Sequence, residues 1–223
     1  MEYGVAQRVA RIGFLTALVA FFALIAYLVA TGLQILGILT YPWDAILIFG
    51  FSLLIATPFT LAMLALNHLT PGEKKFWTNG ALIFAVMYNT FVTINYTVQL
   101  TATIPYNNAS LAQTPHSFFW TLDALGYIFL GLATLFASPA FEKQGLQKWT
   151  RLSFLANTLV TPLIGAVYFY PTSNAAWNLG SKGLSPPFST ASSPLMFLGS
   201  PWVITAPASM LLLALFLRSK SRR

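Results

Sequence analysis

Apolar residues run along the chain in six long segments that are separated by short polar connections. Each segment is close to or above the ~20 residues that an α-helix needs to cross the hydrocarbon core of a bilayer. The pattern therefore predicts an all-α, polytopic transmembrane helical bundle with no soluble domain, formed by residues 1–223 as a single unit. The six predicted spans are approximately residues 12–36, 45–66, 79–104, 118–141, 152–170 and 195–217.

The composition agrees with a membrane bundle and excludes several kinds of chemistry. Hydrophobic residues make up 57% of the chain and charged residues 8%, whereas a soluble domain carries about 25% charged residues. The chain has no cysteine, which rules out disulfides, thiol redox chemistry and thiolate metal sites. Its net charge of +7 is concentrated in the connections and the tail, so we interpret it as a topology signal and expect no nucleic-acid partner.

The basic residues predict how the chain is oriented. In a six-span bundle, the stretch before span one, the connections after spans two and four, and the tail after span six lie on the same side of the membrane. They contain Arg8, Arg11, Lys74, Lys75, Lys143, Lys148, Arg151, Arg218, Lys220, Arg222 and Arg223, and only Lys182 falls on the other side. The positive-inside rule then predicts a multi-pass protein of the cell membrane with both termini cytoplasmic.

The third predicted span is unusually polar. Residues 88–103 read YNTFVTINYTVQLTAT, which at ~100° per residue leaves a single narrow apolar stripe on the helix. That stripe consists of Met87, Phe91, Ile94, Val98 and Ala102. Amide groups that face hydrocarbon cost several kcal/mol each. We therefore expect this helix to lie at the centre of the bundle, surrounded by the other helices.

Span four contains Asp123, the one charged residue that lies well inside a predicted span. At a rise of ~1.5 Å per residue it lies roughly 8–9 Å below the outer end of its span, and Gln99 lies at a similar depth on span three. Because a short loop joins these spans, we expect them to be antiparallel neighbours. A small and polar stripe on span four is suited to pack against span three; it consists of Asp123, Tyr127, Gly131, Thr134 and Ser138.

A carboxylate at this depth costs ~2.5–3.5 kcal/mol on insertion scales, and no lysine or arginine inside a span is available to pair with it. We interpret this as a polar cavity that opens to the outside, with Asn95 as its floor and Gln99, Asp123 and Tyr96 as its walls. His116, in the loop before span four, would line the mouth or relay protons to Asp123. In the alternative, a protonated Asp123 bonded to an amide stabilises the bundle and has no other role.

Three functions are consistent with this cavity hypothesis and its alternative. The first is binding or transport of a small neutral or cationic solute, or of a lipid headgroup, from the bilayer's outer side. The second is a structural or accessory subunit without a ligand, whose polar helix packs against another membrane protein or a second copy of the chain. The third is an intramembrane enzyme that acts on a lipid-like substrate with Asp123 as its only acid or base.

No motif in the sequence identifies catalytic residues, a metal site or a cofactor. The two histidines are predicted at opposite faces of the membrane, which argues against a haem site. There is no HExxH, no GxSxG and no P-loop. An enzyme would also need a second catalytic group beside Asp123. The sequence therefore favours a protein that is not an enzyme.

Overall fold

The computed structural model describes residues 2–114, 117–169 and 194–222, with side chains described for residues 4–114, 117–165 and 202–222. Over these residues the chain is helical and contains no β-strand. The main helices are α1 (Glu2–Ile35), α2 (Trp43–Leu69), α3 (Lys75–Val98), α4 (Phe118–Ala137), α5 (Gly145–Thr158), α6 (Val160–Phe169) and α7 (Pro194–Ser221). Shorter turns are 3₁₀ at Gly72–Lys74, Ala109–Leu111 and Ser138–Ala140, π at Gln99–Thr103 and α at Ile104–Tyr106.

Within the described residues, five helical stretches are long and apolar enough to cross a membrane. They are Gly4–Ile35, Trp43–Leu69, Gly72–Tyr106, Phe118–Ala140 and Trp202–Ser221. The prediction of an all-helical membrane protein is confirmed at this level. The predicted span at residues 152–170 is different, because it is divided between α5 and α6, and neither helix alone reaches the ~20 residues that a crossing needs.

Pro162 accounts for the division between α5 and α6. Proline has no backbone N–H, and its ring clashes with the carbonyl of the residue four positions earlier. That residue is Thr158, at which α5 ends, and α6 begins after the single turn residue Leu159. The helix is therefore interrupted before this proline.

The helices pack in a closed ring. Each is in contact with its neighbour along the chain from α1 to α4, and α4 packs against both α5 and α6. α7 then packs against α5, α6 and α1, which closes the ring. The inside of the ring is filled by fully buried apolar side chains such as Leu24, Phe59, Met63, Phe154 and Leu213.

The position of α3 differs from the sequence expectation, because α3 lies in the ring, with α2 and α4 as its main neighbours, and not at the centre. One face is buried and the other carries exposed Ile83, Val86 and Ile94 together with threonines. Thr90 and Thr93 do not need a partner helix, because their hydroxyls donate to groups of α3 itself. Thr90 donates to the carbonyl of Val86 at 2.9 Å, and Thr93 donates to Oδ1 of Asn89 at 3.3 Å.

The expected packing of the α4 stripe against α3 holds only at the end of the stripe that contains Asp123. Gly131 faces α6, since a Cβ there would lie 2.0 Å from Oγ1 of Thr161, and Thr134 bonds to α5. The close approach to α3 is made instead by Gly126, where a Cβ would lie 3.0 Å from a methyl group of Val92. Residues at i+4 and i+8 rotate about 40° and 80° around a helix, so a long stripe moves from one neighbouring helix to the next.

The basic residues near the helix ends lie together at one end of the ring, which we call the basic end. The guanidinium of Arg218, late in α7, lies 5.8 Å from the ring centroid of Phe14, early in α1. Lys74, before α3, forms an ion pair with Glu142, before α5. The loops that connect α1 to α2 and α3 to α4 are therefore at the opposite end, where the predicted site lies.

Candidate ligand site between α3 and α4

The inner face of α3 presents three polar side chains to the site. Asn95, Tyr96 and Gln99 are 0%, 4% and 0% exposed. Asn95 and Tyr96 lie four and three residues before Gln99, so the three side chains share one face of the helix. The helix then widens into the π-turn Gln99–Thr103. The N–H of Ile104, which follows this turn, bonds to the Gln99 carbonyl. Such π segments are often found at functional sites.

Across from this face, α4 contributes Asp123. Its Oδ1 accepts a hydrogen bond of 2.5 Å from the Tyr96 hydroxyl, and the Gln113 side chain lies beside the same carboxyl group. Asp123 is partly exposed, whereas Tyr96 is buried. The ion pair found among the described residues is the one between Lys74 and Glu142 at the basic end, so no described cation neutralises Asp123.

The loop between α3 and α4 folds back into the space beside these residues. Nε2 of Gln99 donates to the Leu111 carbonyl at 2.8 Å, and Oε1 of Gln99 accepts from the Gln113 N–H at 3.2 Å. Nδ2 of Asn95 donates to Oε1 of Gln113 at 2.8 Å. We call residues 111–113 the plug segment, because they occupy the position in which the sequence predicted an open polar cavity.

One acceptor in the site is unused. Asn95 is fully buried, and its Oδ1 has no hydrogen-bond partner in the described part of the chain. A buried polar atom without a partner costs about 1–3 kcal/mol. A ligand or water that brings an N–H or O–H group to this atom would recover part of that cost.

Aromatic rings surround the Asp123 carboxyl group. Four tyrosines from three helices lie close enough to interact with it electrostatically: Tyr27, Tyr88, Tyr96 and Tyr127. Two of these rings also pack edge-on against Trp202 of α7, with centroid distances of 5.7 Å for Tyr27 and 5.4 Å for Tyr127. A carboxylate among aromatic rings is the combination that recognises organic cations, through charge and through cation–π attraction.

Four of the five predicted site residues meet in the structure, namely Asn95, Tyr96, Gln99 and Asp123. Gln99 does not bond directly to Asp123. It accepts from the Gln113 N–H, and the Gln113 side chain lies beside the Asp123 carboxyl group. His116, the fifth residue, lies outside the described residues. Among the residues that the structure describes, no group of three or more histidines and carboxylates is arranged to hold a metal ion.

Sequence reasoning missed Gln113 and Asp44. Gln113 is 9% exposed, accepts a hydrogen bond from Asn95 and lies beside Asp123; the available signal was a glutamine in a short loop beside a helix that is rich in amides. Asp44 is 6% exposed and accepts a hydrogen bond of 2.8 Å from Nε2 of Gln34. Its signal was an acidic residue in the first turn of a helix, where it is favoured by the dipole.

A second polar cluster lies on the other side of α4. Nδ2 of Asn157 donates to Oγ1 of Thr134 at 3.3 Å, and Thr205 donates to Oδ1 of Asn157 at 3.2 Å. A small apolar cavity beside this cluster is lined by residues of α1, α2, α4, α5 and α7 and has room for about one water molecule. No loop residue takes part in this cluster.

Comparison with known proteins identifies no matching family model, no matching curated protein and no matching solved structure.

Proposed function

We propose that this chain is a multi-pass protein of the cell membrane that binds, and moves across the membrane, a small organic cation that enters between α3 and α4. The observation that carries the proposal is the Asp123 carboxyl group. It lies inside a membrane-spanning helix, is partly exposed, is paired with no described cation and is surrounded by tyrosines. A positively charged ligand compensates for such a carboxylate better than a neutral solute does.

The orientation of the site is part of the proposal. α5 and α6 follow one another, so together they form the fifth of six crossings of the bundle. With six crossings and the basic residues at one end, the positive-inside rule places both termini in the cytoplasm. The plug segment and Asp123 then lie toward the outer surface.

The plug segment has a defined role in this mechanism. It offers the Leu111 carbonyl, the Gln113 N–H and the Gln113 side chain to the site, and through them it satisfies both ends of Gln99 and the Nδ2 group of Asn95 when no ligand is bound. A ligand with an ammonium group would displace the Gln113 side chain and donate hydrogen bonds to Asp123 and to the unused Oδ1 of Asn95. Binding would therefore exchange internal hydrogen bonds for charged ones, which are stronger.

The test is thermal unfolding of the purified chain in lipid nanodiscs with a panel of small ammonium compounds and their neutral isosteres. A ligand at 100 times its Kd stabilises a protein by ~2.7 kcal/mol, which is a readily measured rise in the unfolding temperature. We expect some ammonium compounds to raise it and their neutral isosteres to have little effect. Asp123→Asn should remove this stabilisation.

Asp44→Asn is the matched control. Asp44 is a buried carboxylate near the same end of the bundle, and it is already bonded to Gln34. It should retain the response to ammonium compounds. If the control loses the response as fully as Asp123→Asn does, or if neutral isosteres stabilise as well as cations, the assignment of the ligand to Asp123 is wrong.

A structural or accessory role is the second candidate function. It is supported by the hydrogen bonds between α3 and the plug segment, which satisfy Gln99 at both ends without any ligand. It predicts that no ammonium compound stabilises the chain and that Asp123→Asn has no effect on whatever activity the chain supports.

A further inference from the structure

A group of polar side chains lies on the outer surface of the ring, where α2 and α3 meet. Oδ1 of Asn89 on α3 accepts hydrogen bonds from Thr57 of α2 at 3.2 Å and from Thr93 of α3 at 3.3 Å. We call Thr57, Asn89 and Thr93 the Asn89 patch. Both threonines are exposed and Asn89 is half-buried.

The patch lies at the middle of the membrane-spanning helices. Asn89 is midway along Gly72–Tyr106, and Thr57 is one residue from the middle of Trp43–Leu69. At this depth the surroundings of an exposed side chain are hydrocarbon, which offers no hydrogen bonds. Asn89 therefore differs from an exposed asparagine in a soluble protein, because water cannot satisfy it.

The patch contains a donor without a partner. The structure gives the Nδ2 group of Asn89 no hydrogen-bond acceptor within the described residues, although both of its hydrogens can donate. An amide in an apolar medium without a compensating hydrogen bond is destabilising. Neighbouring threonines such as Thr90 avoid this cost by bonding to their own helix, but the asparagine amide does not.

Free acceptors lie beside this donor. The hydroxyl oxygens of Thr57 and Thr93 donate to Asn89 and each keeps lone pairs that can accept. Pro58 adds a third acceptor, because it lacks the N–H that would bond to the Leu54 carbonyl in a regular helix. Leu54 is 54% exposed and lies one turn from Thr57, on the same face of α2.

We infer that the Asn89 patch is the contact through which two copies of this chain associate in the membrane. The patch combines unused donors and unused acceptors within one small area, so it is complementary to itself. That is what a twofold interface requires, because the same surface faces itself across the axis. Polar side chains that bond across helices are an established means of association between membrane helices.

The experiment measures association of the full chain in liposomes that contain no other protein. The chain has no cysteine, so a single cysteine introduced as Glu73→Cys, at the exposed basic end, carries a donor or an acceptor dye. Energy transfer is recorded while the ratio of protein to lipid is varied. We expect transfer to rise with protein density, and Asn89→Leu to raise the density for half-association about tenfold.

Three further variants keep the test specific to the patch. Asn89→Gln retains the amide and should associate like the starting protein. Thr57→Val combined with Thr93→Val removes the acceptors and should weaken association. Thr101→Val is the matched control, because Thr101 is an exposed threonine of the same polar span whose hydroxyl bonds to its own helix at 2.7 Å.

Three results would overturn the inference. One is that the chain remains monomeric at every protein density. A second is that Asn89→Leu associates as strongly as the starting protein while its thermal unfolding shows that it is folded. Association that is lost equally in Thr101→Val would also contradict it, because the contact would then not be located at Asn89.

Discussion

The ring contains two polar clusters that are built differently, one around Asp123 and one around Asn157. In the Asn157 cluster the Asn157 side chain bonds to two neighbouring helices, joining α5 to α4 and α7 to α5. In the Asp123 cluster the amides of α3 bond chiefly to the plug segment. Helices are held by packing along their whole length, but a loop segment can move by itself. The comparison indicates that the first cluster is a fixed joint and the second is able to open.

The largest expected effect on stability is at Asn157. Asn157→Ala removes a buried amide that is bonded at both ends and leaves Thr134 and Thr205 without this partner. We expect the free energy of unfolding to fall by about 2–3 kcal/mol, measured by thermal or detergent unfolding in nanodiscs. Asn95→Ala should lower the free energy of unfolding clearly less, because Oδ1 of Asn95 already has no partner and the plug segment can adjust. Equal costs at the two positions would remove the distinction between the clusters.

Asp123→Asn should separate binding from stability. The amide keeps the size of the side chain and can still accept a hydrogen bond from Tyr96, so folding should be unaffected or slightly improved. Affinity for an ammonium ligand should fall at least about tenfold, because the compensating charge is lost. Binding measured by calorimetry or by thermal shift checks this. A variant that binds as tightly as the starting protein would show that the ligand, if there is one, lies elsewhere.

Removing the plug's amide should have the opposite effect on affinity. Gln113→Ala eliminates the side chain that accepts from Asn95 and lies beside Asp123, so a ligand no longer competes with it. If the bond to Asn95 is worth about 0.5–1.5 kcal/mol, affinity should rise about twofold to tenfold. Stability without ligand should fall slightly. A loss of affinity would mean that Gln113 holds the ligand and does not exclude it.

The smallest expected effect is at the basic end, far from both clusters. The hydrogen bond and charge of Lys74 hold the pKa of Glu142 below its ordinary value. The stabilisation by this pair is therefore present above pH ~4.3, the ordinary pKa of glutamate, and is lost as the pH falls through the lower pKa of the folded state. Glu142 is fully exposed, so Glu142→Gln should change the unfolding temperature at pH 7 only marginally. Thermal unfolding from pH 3 to 7 checks this.

The sequence was sufficient for the parts of the fold that depend on hydrophobicity alone. The all-helical membrane bundle and the meeting of Asn95 and Tyr96 with Asp123 follow from apolar runs, helical period and a short connecting loop. The position of α3 did not follow, because counting its threonines as polar overstated their need for burial. Their hydroxyls bond to their own helix, so only the asparagines, tyrosines and glutamine required partners.

Two other features depend on backbone groups, for which a side-chain pattern gives little signal. The plug segment reaches Gln99 through the Leu111 carbonyl and the Gln113 N–H, and any residue types could supply these. The interruption between α5 and α6 follows from Pro162, yet Pro58 lies inside a continuous α2. Whether a proline bends or divides a helix depends on the neighbouring helices that can satisfy the freed groups.

The most direct test of the account is the accessibility of the two clusters from outside the cell. In this cysteine-free chain, Asp123→Cys and Thr134→Cys are each exposed in intact cells to a membrane-impermeant thiol reagent. We predict that Asp123→Cys is labelled, faster when combined with Gln113→Ala, and that Thr134→Cys, which is at a fully buried position, is not. If Asp123→Cys in the folded protein reacts no faster than Thr134→Cys, with or without Gln113→Ala, the site does not open to the outside.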